Sequence, residues 1–239
     1  MIEDKKKILN FFKSLEFNES EHLYTVNGQK INSSVSKIIK NFVTPFDIHT
    51  ISLRVAAQTG IPQSEILKSW DEKRDKACEK GTRVHLFGEF YPFNKTLRPA
   101  DKFEEAVVKF WNDTPAEIIP VMMELRMYHK EYLYAGTADI LLYNKKTGTY
   151  IIADYKTNEN LFKNYKSKKM LGEFSNLLDN NYNHYQLQLS FYQILFEQMG
   201  LKVSSRKIIW LKPTGEYELY TTEDYTDILK QYLKNNKGL

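Results

Sequence analysis

Residues 135–157 read AGTADILLYNKKTGTYIIADYKT, a strand, a tight turn and a second strand. Asp139 sits on the first strand, and Asp154, Tyr155 and Lys156 end the second. Residues two apart on a strand point to the same side, so Asp154 and Lys156 face one way and a hairpin partner can bring Asp139 beside them. Two carboxylates and an ammonium converging in one place suit a magnesium ion that must also hold a phosphate, because magnesium takes one or two carboxylates and accepts phosphate oxygens. A surface hairpin with alternating charge would carry the same residues, since opposite charges across strands are mildly stabilising. The apolar runs at 140–143 and 150–153 weigh against that reading. They are typical of strands buried on both faces, and they place Asp154 at the exit of a core strand, where an uncompensated charge is expensive.

Working outward, residues 5–17 read as a short amphipathic helix, and 22–31 as a hairpin around Asn27-Gly28, a favoured type I′ pair. Ser33 or Ser34 caps a helix through Val35, Ile38, Ile39 and Phe42, which Pro45 stops. Residues 48–80 are polar and helical in pattern, broken at Gly60-Ile61-Pro62. Residues 81–90 are the next helix or its continuation, with His85 and Glu89 four apart on one face. A helix follows at 99–112, then a strand at 118–128 that contains Glu124. Beyond the central hairpin, 158–181 is a polar connection bearing Lys163, Lys166, Lys168 and Lys169. A helix runs from about Tyr182 to Met199 with Gly200 as its stop. A strand at 207–211, a last strand at 216–220 and a C-terminal helix complete the chain. The order of elements predicts an α/β fold, a central mixed sheet with helices on its faces. Residues 1–80 form a hairpin and helical lobe packed on a core of 81–239.

The chain has 239 residues, is 42% hydrophobic and can bury one core with a helical addition. Its net charge of +4 permits a phosphate-rich partner without demanding one. The single cysteine, Cys78, excludes an internal disulfide and any cysteine-rich zinc or iron–sulfur site. No secretory signal is recognisable at the N-terminus, and no apolar run approaches the ~20 residues of a membrane span. A soluble, cytoplasmic protein without membrane partners is expected. A composition rich in lysine, asparagine and tyrosine suggests an AT-rich genome, and with the stand-alone format it fits a phage-infected host or bacterial cell.

Four short motifs occur in order between 81 and 192. They are Gly81-Thr82-x-x-His85, Gly136-Thr137-Ala138-Asp139, Asp154-Tyr155-Lys156-Thr157 and Gln188-x-x-x-Tyr192. Together they resemble the PD-(D/E)XK nuclease superfamily and, within it, the RecB-like branch that includes phage and mitochondrial genome-maintenance exonucleases. The resemblance implies a restriction-endonuclease-like core and hydrolysis of DNA phosphodiester bonds with Mg2+ or Mn2+. It also implies roles. Asp139, Asp154, His85 and the backbone carbonyl of Tyr155 hold the metal. Lys156 positions the attacking water or stabilises the transition state. Gln188 and Tyr192 support the lysine or touch the phosphate. The third signature position is aspartate where many members have glutamate, a substitution common in this branch. The chain lacks the G-x-x-x-x-G-K-[ST] phosphate loop, so unwinding would fall to a helicase or recombinase partner.

Several residues keep two readings. Glu124 occupies an acidic position often found on the strand before the hairpin, and it also stands two along from Arg126, a ready ion-pair partner. Glu89 is a support for the site or a solvated charge. Lys163, Lys166, Lys168 and Lys169 form a solvated loop or a strand-guiding patch supplying salt-sensitive affinity for DNA. Tyr182 and Tyr185 pack, or stack on bases. Three functions follow: an exonuclease acting on DNA ends, a non-catalytic DNA-binding module on the same fold, and a structure-specific endonuclease.

Overall fold

The buried strands read from the central hairpin become the middle of one mixed sheet. The computed structural model describes residues 2–18, 21, 23–31 and 33–236, and of Ile2 only the backbone. Helix α1 (Ile2–Phe11) leads into a small antiparallel sheet of β1 (Leu15–Asn18), β2 (Leu23–Val26) and β3 (Gln29–Lys30). The helix expected over 5–17 therefore ends early. Leu15 and Phe17 alternate with Glu16 at the strand period and pair across to Val26 and Tyr24. His22, the first residue of the expected hairpin, lies outside the described residues; its turn is at Asn27 and Gly28, both at positive φ.

The two-residue strand β4 (Ser33–Ser34) precedes the short helix α2 (Val35–Ile39), whose N-cap is Ser34, accepting the Lys37 N–H at 3.3 Å. Helices α3 (Ile48–Thr59) and α4 (Gln63–Phe90) follow, separated by Gly60 at φ +73. The break expected at 60–62 is therefore present. A boundary between residues 80 and 81 falls inside α4, because Gly81 lies within an unbroken helix. Helix α5 (Lys102–Asp113) is tied to α4 by Arg83, whose guanidinium binds the buried Glu104 and reaches Asp101 at 2.5 Å.

Strands β5 (Ile118–Tyr128), β6 (Tyr134–Asn144) and β7 (Thr149–Lys156) run antiparallel in sequence. Helix α6 (Asn181–Glu197) then crosses over to β8 (Val203–Leu211), parallel to β7, and β9 (Tyr217–Thr221) and α7 (Thr226–Asn235) close the chain. Parallel neighbours need such a crossover. The result is an α/β fold, a mixed sheet flanked by helices. On one face Leu141, Tyr150, Ile152 and Ile208 pack with α2, α6 and α7. On the other Ile140, Leu142, Ile151, Ala153 and Ile209 pack with α4 and α5. Alternate residues of β6 and β7 thus serve two cores, which is why these strands read as continuous apolar runs.

Two glycines set how closely the helices approach. A Cβ on Gly88 would lie 2.5 Å from the ring of Tyr155, and one on Gly136 would lie 2.8 Å from the ring of Tyr192. The Tyr155 ring is buried and held by the Trp111 indole, which donates to its hydroxyl at 2.7 Å. Gly88→Ala therefore has to push α4 off the sheet. We expect it to lower stability by about 1–3 kcal/mol, read by denaturant unfolding. An unchanged unfolding midpoint would show that the helix has slack at this point.

Candidate metal centre

The β6–β7 ladder runs from Asn144–Thr149 to Ile140–Ala153 and stops there. The next residues in register are Asp139 and Asp154, where the two strands diverge. Ala135 pairs with both Tyr128 on β5 and Ser34 on β4, so β4 occupies the edge of β6 that β7 has left. A buried backbone N–H must find another acceptor when a ladder opens. Asp139 Oδ2 accepts the Tyr155 N–H at 2.8 Å, and the Asp139 N–H points at Asp154 Oδ1 at a long 3.5 Å. Both carboxylates are buried, so they stand at the end of the sheet core with part of their capacity spent on holding the opening.

Three further elements converge on this opening. From α4, His85 Nδ1 lies 3.2 Å from Asp139 Oδ2. From β5, Glu124 sits between the pairs Met123–Ile140 and Leu125–Ala138 with φ +48. A left-handed backbone at a residue with a side chain costs about 1–3 kcal/mol and persists only where its surroundings impose it. His85, Glu124 and Asp139 each offer a ligand atom, and the three atoms lie within 4.8 Å of one another. From α6, Gln188 Nε2 donates to the Tyr192 hydroxyl at 2.8 Å, while Gln188 Oε1 is buried with no hydrogen-bond partner among the described residues.

Lys156 forms an ion pair with Asp154 Oδ2. Its ammonium lies 4.3 Å over the ring of Tyr185, whose hydroxyl donates to Asn158 Oδ1 at 2.7 Å. Burial works to strip the Lys156 proton, but the Asp154 and Asp139 carboxylates outweigh it and hold the pKa above the ordinary lysine value. Asp154 is pushed up to about 7 by burial and by the charge of Asp139, against the pull of Lys156. Burial and the Asp139 charge likewise push Glu124 up to about 8. For His85, burial opposes the charged form, yet contact with Asp139 raises the pKa to about 9. Asp139 itself is held below its ordinary value; burial acts against this, and His85 and Lys156 prevail.

These residues fit a divalent cation. Three carboxylates crowd one place, and the charge of Asp139 raises the pKa values of Glu124 and Asp154, a strain that a bound cation relieves by inverting the local electrostatics. The His85, Glu124 and Asp139 donor set combines one imidazole with two carboxylates, a mixed set open to several divalent metals. The signs give a pH test. Glu124 titrates at about 8 against an ordinary 4.5, and His85 at about 9 against 6.5. Between those values the folded metal-free protein holds protons that the unfolded chain has lost, so stability falls as pH rises. The metal-free protein is expected to melt several degrees lower at pH 9 than at pH 6, with the stabilisation by Mn2+ larger at pH 9. Melting curves at both pH values check this; a metal-induced shift that does not grow with pH would detach these groups from the metal.

The sequence-derived residues fall in distinct places. His85, Glu124, Asp139, Asp154, Lys156, Gln188 and Tyr192 meet at the splayed strands. Tyr155 contributes backbone only, since its side chain turns away to Trp111. Glu89 lines the outer cleft, about 670 Å³, with Phe17, Leu86, Glu124 and Arg126. Arg126 lies over the Phe17 ring, 5.2 Å from its centroid.

In the loop, Lys168 binds Asp179 at 2.8 Å and Lys169 donates to the Asn176 carbonyl at 3.1 Å, so both ammoniums hold the loop together. Lys166 sits over Tyr165, and Lys163 lines a separate cleft beside α4. Tyr182 packs against Phe162 and Tyr220. Phe17 and Tyr24 belong to no motif in the sequence. Tyr24 hydrogen-bonds Thr137 at 2.9 Å, and only the packing of the front hairpin on β5 and β6 brings it there. Among the described residues no helix is long and apolar enough to cross a membrane. No protein-family model matches the chain, and no curated protein is significantly similar to it.

Proposed function

We propose that this chain is a metal-dependent deoxyribonuclease with a restriction-endonuclease-like core of the RecB-like kind, an exonuclease acting on DNA ends. The observation that carries the reading is the convergence of His85, Glu124 and Asp139 within 4.8 Å beside the Asp154–Lys156 ion pair. His85, Glu124, Asp139 and Asp154 would hold Mg2+ or Mn2+. When bound, such an ion activates water and neutralises charge developing on a phosphodiester. Lys156, kept protonated by two carboxylates, supplies a fixed positive charge beside the scissile phosphate, where preorganised charge acts most strongly. Gln188 is anchored through Tyr192 and keeps a buried carbonyl oxygen with no hydrogen-bond partner among the described residues, an acceptor for the water or for the lysine. Asp154 orients Lys156 as much as it ligates, which accounts for its place outside the tight His–Glu–Asp trio.

The test is a digestion time course on end-labelled linear DNA, single- and double-stranded, with magnesium, manganese or chelator, beside a closed circular substrate. Metal-dependent release of short products from linear DNA, with the circle intact, is the expected result. Nicked circles would turn the reading to an endonuclease. Intact DNA in every metal, from folded protein that still binds it, would turn it to a binding module.

A further inference from the structure

The N-terminal half of α4 packs on α3 and on little else. From residue 63 to residue 80 only Ile66 is buried. A long helix polar on nearly all sides is not held by a core face, and a cleft of about 1170 Å³ runs along this stretch. Its other wall is residues 157–160 with Lys163 and Asn181. The cleft ends beside the metal centre, where its lining residues Lys80 and Thr157 adjoin Gly81 of the outer cleft and Lys156.

Charge along the cleft is lopsided. Lys73, Arg74, Lys76, Lys80 and Lys163 line it against the carboxylates of Glu72 and Glu159; Arg74 is bound between Asp71 and Asp75, and Lys73 lies 3.8 Å from Glu159. Lys76 and Lys163 are exposed and have no ion pair among the described residues, and Lys80 donates to the Thr157 carbonyl at 3.2 Å with its charge uncompensated by any carboxylate there. The outer cleft on the far side of His85 is mixed in character, with Glu89 and Glu124 beside Arg126 and the apolar Phe17 and Leu86. Width follows from the same contacts. Single side chains of α4, Lys73 and Lys80, span to the opposite wall. A duplex, whose major groove alone is about 12 Å across, is too wide to lie between them, which leaves a single strand that displaces the exposed Lys73–Glu159 contact.

We infer that the cleft between α4 and residues 157–163 is the binding track for one nucleic-acid strand, with Lys76, Lys80 and Lys163 on its phosphates. This deepens the nuclease reading and rests on it for the purpose of the track, though the track can be tested without cleavage. The body of a single strand lies along the basic track, and its end crosses Lys156 into the short outer cleft. Product length is then limited by the outer cleft and affinity by the track.

The experiment is fluorescence anisotropy with labelled oligothymidylate of about 20 nucleotides, in chelator so that no cleavage occurs, across a salt series. Wild type is compared with a Lys76→Glu/Lys163→Glu variant and with a Lys145→Glu/Lys202→Glu control at the β6–β7 turn end of the sheet. Both pairs are exposed. The track variant is expected to bind at least about tenfold more weakly at low salt, with a salt slope shallower by about 1.4 for two lost single-strand phosphate contacts. The control should bind as wild type, and a blunt duplex of equal length should compete at least about tenfold less well than the single strand. Equal affinity and slope in the track variant, no wild-type binding, or a duplex competing as well as the strand overturns the inference. Digestion of the same oligonucleotide with Mn2+ keeps the two readings apart. Track-dependent binding without cleavage removes the nuclease and keeps the track; cleavage unaffected by the track variant keeps the nuclease and removes the track.

Discussion

Lys156→Ala is expected to abolish measurable cleavage, a loss of at least about 10²- to 10³-fold if the ammonium acts as a preorganised charge at the phosphate, while the protein still folds. The side chain is nearly buried and paired with Asp154. Removing one partner of a buried pair leaves the other uncompensated and can cost about 3–5 kcal/mol. Here the cost is limited, because Asp154 already titrates at about 7 and loses its main cationic neighbour in the variant, so it takes up a proton instead of remaining an isolated charge. The variant should keep its circular-dichroism spectrum and its affinity for DNA, and lose turnover alone. Full activity in a folded Lys156→Ala protein would end the nuclease assignment.

Asp139→Asn should act through the metal. Asp139 is the hub of the centre: it touches His85, accepts the Tyr155 N–H and raises the pKa values of both Glu124 and Asp154. An asparagine oxygen can still accept the Tyr155 N–H, so the splayed strands should hold. The charge is lost, however, and His85 then feels burial without its main counter-charge, so its pKa should drop from about 9 to its ordinary value or below. Mn2+ affinity by calorimetry is expected to fall by more than the roughly 10- to 100-fold that loss of a merely supporting group causes. Loss of cleavage with unchanged affinity would show that Asp139 acts on the reaction without holding the metal.

How far the site was legible depended on how local each signal was. Asp154 and Lys156 share a side because strand residues two apart must, and their ion pair needs nothing beyond β7. Glu124 kept two readings, site or partner of Arg126, because its strand context alone allows both. What draws it to His85 and Asp139 is a left-handed backbone at the point where its pairing with β6 is interrupted, and no residue type marks that position. The lysines of the 163–169 loop were equivalent by composition. Loop geometry separates them, tying Lys168 to Asp179 and Lys169 to Asn176 while leaving Lys163 on the cleft beside α4.

The sequence by itself determined the α/β class, the buried hairpin and the order of the motif residues, because strand and helix periods and apolar runs are local consequences of burying one or two faces. It also determined which side chains could carry charge in the core. Tertiary structure alone decided that β6 and β7 part at Asp139 and Asp154, that Gly88 lets α4 close on Tyr155 to deliver His85, and that half of α4 stands off the core beside a basic cleft. Those outcomes depend on which distant elements compete for one strand edge and one face. Such contacts join residues tens of positions apart, and no local period encodes them.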